Sequence, residues 1–434
     1  MSMEVDIMHC FSNVPATRRA FLPLTVVAAL TLGVASGARA SWTLPDARPS
    51  TIQSYIDDPT KCPEAAAGGG TAVGCHIVLP CGEWVDDLPG HQITINNRQN
   101  IRITGCGMNG TTVKFTDPPA GGKLLVITGG SRWITIEDVK LEIDCSADCS
   151  GNATFAGFVD NGSADIMFER VHFHAADRSS SSAFAPFPGG LLLGTGATPV
   201  ERVTAHNCNF HATGYGLSST KCEDCWFNAS WFGPITDHSR PVYALANKAT
   251  GFGVRFTNNT FDMGGNVQSG LVLRSQTSPS VLHTAATAQI IGNSFVNLRD
   301  GWTGPGGSNA QLAIYMYGYN RANISNNLFA CEPEPNNAEY GCTANGIAFI
   351  AGTGNCGTSD VCNEQNLMSG NVFDHVVDSG ATCPIWFGAS AALNRNNVIH
   401  GNVFELGSGS AAGANGICGV NEPLNPDVAD NRAF

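Results

Sequence analysis

The chain has 434 residues, of which 43% are hydrophobic, 14% charged and 50 glycine, with a formal net charge of −13. That length carries a sizeable core, and low charge with abundant Gly, Ser, Thr and Asn suits a turn-rich β protein better than a helical one. The negative balance argues against nucleic acid or an anionic membrane as the main partner.

Residues 1–40 read as an export signal. Arg18-Arg19 precede an apolar run from Leu24 to Val34, and Ala38-Arg39-Ala40 supplies a small-x-small cleavage site before Ser41. The stretch "TRRAFL" resembles a twin-arginine signal, with Pro23 where a polar residue is more usual. No later stretch is apolar enough to span a bilayer, so the mature chain is expected without a membrane span, in the periplasm or outside the cell. Sixteen cysteines fit that compartment. Cys145/Cys149, Cys331/Cys342 and Cys356/Cys362 are close enough in sequence to staple loops. Losing Cys10 with the signal leaves fifteen, so at least one thiol is unpaired.

Residues 41–74 form an N-terminal cap region. In "STIQSYI", Ile52, Tyr55 and Ile56 share one helical face behind a Ser/Thr cap, a lid for the first exposed sheet edge. The opening strands follow in "CHIVLPCGEW" and "NIRITGCGMNGTTVKF".

From there a short phrase recurs, aligned on Leu141, Phe173, Phe210, Phe227, Phe261, Phe295, Phe329, Phe373 and Phe404. Two residues earlier lie Val139, Val171, Cys208 and Cys225, then Asn259, Asn293, Asn327, Asn371 and Asn402. The last intervals are 34, 34, 44 and 31 residues, the differences falling in Gly/Ser-rich segments. A fixed motif with variable loops is a solenoid with one turn per repeat. Short period-two segments rich in Val, Ile, Thr and Phe make it a parallel β-helix. In register, each inward Asn bonds the coils above and below, and the phenylalanines stack. One domain spans about 41–420, with the β-helix over 75–420, and 421–434 reads as a tail.

The Asn-x-Phe ladder and "IVLPCGEW…IRITGCG" resemble the pectate-lyase-like right-handed parallel β-helix superfamily. The resemblance implies an all-β right-handed parallel β-helix with a short N-terminal capping helix. That fold carries lyases, hydrolases, epimerases, phage tailspikes and non-catalytic periplasmic proteins, so function must come from the site.

A β-helix offers one long sheet face to an extended polymer. The strands before the variable loops hold the candidates: "PVYALANK", "SGLVLRSQ", "AQLAIYMYGYN", "NGIAFIAG" and "CPIWFGAS". The mature chain has six lysines, and Lys248 ends one of these strands. "ALANKATGFGVRFTNNTFDMGGNVQSGLVLR" resembles the alginate lyase and chondroitinase B family, where an Asn-Lys-small triplet is followed one coil later by Leu-x-Leu-Arg. By that resemblance Lys248 is the base that takes the proton beside a uronate carboxylate, and Arg274 assists the leaving oxygen or steadies the developing charge. The family's acidic calcium ligands lie just upstream of the lysine, where this chain has Pro241, Val242 and Tyr243. Calcium therefore stays open as a cofactor with its expected ligands missing, and Arg240 or Arg255 stands in to neutralise the carboxylate. Ser275-Gln276 replaces the family's His-Gly.

Tyr315, Tyr317 and Tyr319 alternate and so point to one side of a strand. With Trp302 and Trp386 on neighbouring coils they make a sugar-stacking strip, the inner positions being filled by Leu312, Ile314 and Met316. Arg240 and Tyr243 complete the expected binding residues. A hydrolase needs a carboxylate pair, and Asp237, Asp262, Asp300, Asp374 and Asp378 are its candidates. Cys208, His211, Cys222 and Cys225 have zinc-ribbon spacing, although a disulfide is the expectation in an exported chain. His172, His174 and His206 fall near turns with no nucleophile beside them. The reading is an exported polysaccharide-processing protein, first a lyase of a uronate polymer. A glycoside hydrolase and a non-catalytic glycan-binding or envelope protein are the alternatives.

Overall fold

A computed structural model describes residues 40–433 apart from 64–73, 87–90, 119–120, 146–153, 178–187, 197, 213, 235–239, 247–252, 265–266, 268, 276–286, 300–301, 305–306, 310, 318–320, 333–341, 351–362, 379–382, 389–393, 408–409, 412–414 and 420–426. For some strand residues, among them 240–246, 274–275, 302–304 and 317, it describes the backbone alone. The export signal expected over 1–40 lies outside the described residues except for the backbone of Ala40, which opens the strand Ala40–Thr43.

Each full coil contributes three strands. In one coil these are Arg255–Thr257, Thr260–Asp262 and Ser269–Ser275, and each pairs parallel with its counterpart in the next coil, Gln289–Ile291, Ser294–Leu298 and Gln311–Tyr317. Repeated along the chain, this gives a 24-stranded sheet folded into two strips and a separate 11-stranded sheet. The architecture is a right-handed parallel β-helix.

The fold in the 24-stranded sheet comes from a two-residue bend. Its first residue has positive φ, as at Asn207, Asn258, Asn326, Gly370 and Gly401, the conformation that Asn and Gly adopt most readily. Its second residue points inward. Asn259, Asn293, Asn327, Asn371 and Asn402 are all buried, and each donates through Nδ2 to Oδ1 of the next at 2.9–3.0 Å, the last to Asn431. Every Oδ1 also accepts from the preceding rung's backbone N–H, as at Asn293 N to Asn327 Oδ1, 2.9 Å. Buried turn amides are thereby satisfied in a place water cannot reach. Beyond the bend, Phe173, Phe210, Phe232, Phe261, Phe295, Phe329, Phe373 and Phe404 stack with ring centres 4.5–5.2 Å apart.

That column corrects the expected ladder at one rung. Phe232 pairs with Phe210, whereas Phe227 pairs with Ala205 and Phe256 in the other strip. Ser230 takes the bend position expected for Cys225: its hydroxyl accepts from Cys208 N at 3.1 Å, and its own N–H donates to Asn259 Oδ1 at 2.9 Å. Cys225 is instead disulfide-bonded to Cys222, which removes two sulfurs from the zinc-ribbon set. Cys208 is a free, fully buried thiol, and burial pushes it up to about 12. Cys331–Cys342 forms as expected, together with Cys62–Cys75, Cys81–Cys106 and Cys383–Cys418.

The capping helix is Pro49–Asp57, with Ile52 and Ile56 buried and Tyr55 packed against the core. Its N-cap is Arg48 without a side-chain cap bond, in place of the expected Ser/Thr; Pro49 at the first position presets the helical φ. At the other end the expected tail carries one more rung, with Asp427–Ala429 and Arg432–Ala433 pairing onto Val398–His400 and Val403–Leu406. No helix among the described residues is long and apolar enough to cross a membrane.

Candidate functional site

The 11-stranded sheet holds the strands that the sequence singled out. Along it, Ile314, Met316, Ile347, Phe349 and Ile385 are fully buried and Phe387 nearly so. Period two then turns the alternate residues Tyr315, Ala348 and Trp386 to the outer face. Leu312 is half-buried, so the inner row is less complete there than expected.

Strand register decides which outward residues meet. Tyr243 pairs with Val272, Val272 with Tyr315, Tyr315 with Ala348, and Ala348 with Trp386. The backbone therefore places Tyr243, Tyr315 and Trp386 in one column, with an aromatic at every second rung, about 10 Å apart. The Trp386 indole lies along the strand over Gly388, where a Cβ would come within 2.6 Å of the ring. Only glycine leaves that room. Tyr315 and Trp386 are both half-buried, and Ala348 between them is fully buried.

Two residues further along the strands, the backbone register pairs Leu245 with Arg274 and Arg274 with Tyr317. Arg240 pairs with Tyr215 at the start of its strand. Lys248 and Tyr319 lie outside the described residues; Lys248 follows the strand Arg240–Ala246 by two positions. Trp302 departs from expectation: it sits on an antiparallel hairpin, Trp302–Gly304 against Gly307–Asn309, and not on a coil. The acid-pair reading finds no close pair among the described candidates. Asp262 and Asp374 lie on the other sheet and three rungs apart, about 14 Å, beyond the separation that glycoside hydrolysis uses. Asp378 is buried and accepts from Gly416 N at 3.0 Å. Asp237 and Asp300 lie outside the described residues.

The structure also gathers side chains that the sequence reading left apart. His172 and His174 lie within the strand Ala164–Asp177, just past the bend at Arg170 and Val171, and His174 pairs in register with His211 on the next rung. Beneath them Lys114 bridges Glu142 at 3.1 Å and Asp144 at 2.9 Å, and Lys140 pairs with Glu142. Burial, and after it the charges of His174 and Lys140, lowers His172 to about 3. Burial and then Lys140 lower His174 to about 4. Glu142 is held at about 2: burial opposes ionisation, but the hydrogen bonds from Lys140 and Lys114 outweigh it. A signal for this cluster existed, since His174 and His211 each follow a ladder phenylalanine by one residue.

No family model and no curated protein matches the chain. Among solved structures, it is similar to the A-module of the mannuronan C-5 epimerase AlgE4 of Azotobacter vinelandii, at 15% identity and a TM-score of 0.51 over 90% of this chain and 95% of that one. The A-module of AlgE6 from the same organism gives 15% identity and a TM-score of 0.51, over 89% and 95%. The likeness is one of fold.

Proposed function

We propose that this chain is an exported protein that lays an extended polysaccharide along its 11-stranded sheet and cleaves a uronate-containing polymer by β-elimination. Residues 1–40 act as the export signal. The observation that supports this best is the column Tyr243–Tyr315–Trp386 beside the register pair Arg274–Tyr317. Aromatic faces two rungs apart suit alternate sugar rings of an extended chain, with arginine next to them for a carboxylate.

The reaction begins at a carbon acid. A C5 proton next to a carboxylate is very weakly acidic until that carboxylate's charge is offset, the task given to Arg274 together with Arg240. Lys248 as the free amine then takes the proton, the C4–O bond breaks, and the leaving oxygen gains a proton. The product carries a C4–C5 double bond, and no water is consumed. Calcium has no acidic donor set at Pro241, Val242 and Tyr243, so no step runs through it. The epimerase modules that share the fold act by name on mannuronan, and epimerisation at C5 starts from the same proton.

The mature chain, incubated with alginate and glycosaminoglycans, is expected to generate the absorbance of the unsaturated uronate. Lys248→Ala is expected to lower that rate about 10²–10⁴-fold. Unchanged lyase rate in the variant removes Lys248 from the mechanism. New reducing ends without the absorbance mark a hydrolase, and retained polymer binding with neither marks a binder.

A further inference from the structure

We propose that His172, His174 and His211 form a three-imidazole site for a zinc-type transition-metal cation, on a sheet face separate from the polymer column. His172 and His174 are two apart on one strand and so face the same way, and His211 sits beside His174 one rung on. Their ring centres make a triangle with sides of 5.5, 5.3 and 6.1 Å. Three imidazoles around a tetrahedral ion, each nitrogen at about 2.0–2.1 Å, place their ring centres about 5.2 Å apart. Two sides already match, and the third closes with a shift of under about 1 Å on that geometry.

The hydrogen bonds point the same way. Nδ1 of His172 lies 3.3 Å from the Asn109 side-chain oxygen, which can only accept, so Nδ1 carries the proton and Nε2 the lone pair. That Nε2 is buried without a hydrogen-bond partner, and so is Nδ1 of His174. Two such unpartnered buried nitrogens are costly for a protein and are what a metal takes up. An outer oxygen on a ligand's other nitrogen is the usual way of orienting it. Both rings are kept neutral by burial, the form that ligates. Glu142 Oε2, 3.7 Å from His174 Nδ1, and Asp144 balance the nearby charges of Lys114 and Lys140. Three protein nitrogens leave a fourth position open, the arrangement of reactive zinc rather than structural zinc.

No choice of one nitrogen from each ring now brings these three within 4.8 Å of one another, as the donor atoms of Asp374, His375 and Glu405 on the C-terminal rungs are, so the rings must turn to take up an ion. Binding must turn the His172 ring out of its stacked relation with His211, now 16° from parallel. The carboxylate-rich group with its exposed Glu405 is the rival site and serves as the control.

Mature protein stripped with a chelator is titrated with Zn2+ by calorimetry and with Co2+ by visible absorption. The expected result is one ion per chain with the intense Co2+ bands of tetrahedral coordination. Binding should weaken at least about tenfold in His172→Gln and in His174→Gln, the loss reported for removing an orienting partner being the lower bound, and persist in His375→Gln. Equal binding in the first two variants, loss in the third, or no binding at all overturns the proposal. Zinc-edge X-ray absorption on the unmutated protein covers the case of variants that misfold. Three imidazole nitrogens at about 2.0–2.1 Å support the site, and an all-oxygen or sulfur shell contradicts it.

Discussion

His172 and His174 each carry a protonation equilibrium that folding displaces. Unfolded, both take up a proton as the pH falls through 6.5; folded, they resist until about 3 and 4. The groups around them are Lys114, Lys140, Glu142, Asp144, His211 and Asn109. Between these limits the unfolded chain binds more protons, so stability falls as the pH falls from 6.5. Glu142 adds to the loss only below its ordinary 4.5, since its folded value is about 2. With chelator present, the urea midpoint is expected to drop steadily from pH 7.5 to 5, and His172→Gln should flatten that slope. An identical slope in the variant contradicts the assignment. At this scale the sequence was only partly legible. Its period-two pattern turned Tyr315 and Trp386 to one face, and the aligned Phe173 and Phe210 put His174 and His211 in one column. It did not show the ion pairs beneath them, because Lys114 lies on an opening strand outside the aligned repeat.

Among the elements, the asparagine ladder carries the clearest energetic prediction. Asn327 accepts from Asn293 N at 2.9 Å and from Asn293 Nδ2 at 3.0 Å; it donates to Ile290 O at 2.8 Å and Asn371 Oδ1 at 3.0 Å. Asn327→Ala leaves these groups buried and unpaired, at about 1–3 kcal/mol for each one left unsatisfied. Denaturant unfolding should therefore register at least about 2 kcal/mol. Asn431→Ala, at the half-exposed end of the ladder, should cost less because water replaces the bond. Equal losses at both positions would show that the ladder is not the stabilising feature. The same element shows where the sequence misled. Phe232 follows Phe210 by only 22 residues, and its rung carries Ser-x-Phe behind Ala229 at positive φ instead of Asn-x-Phe. A hydroxyl satisfies the same backbone amide, so the ladder continues through a residue that the Asn signature does not contain.

Across the whole molecule, stacking turns a one-dimensional repeat into long continuous faces. Each rung rests on the last, so a residue's column is fixed by register even where loops differ in length. That is why fold class was readable from nine aligned positions while the site was not: the stretch with Lys248 and the loops beside it follow no repeat. A net charge of −13 opposes a polyanion at long range, so binding must come from local arginines and aromatic stacking. The decisive measurement is a crystal structure of the mature Lys248→Ala protein with a uronate oligosaccharide. The account predicts sugar rings along Tyr243, Tyr315 and Trp386 with a carboxylate on Arg274. An oligosaccharide seated on either strip of the larger sheet, with Arg274 remote from it, would contradict it.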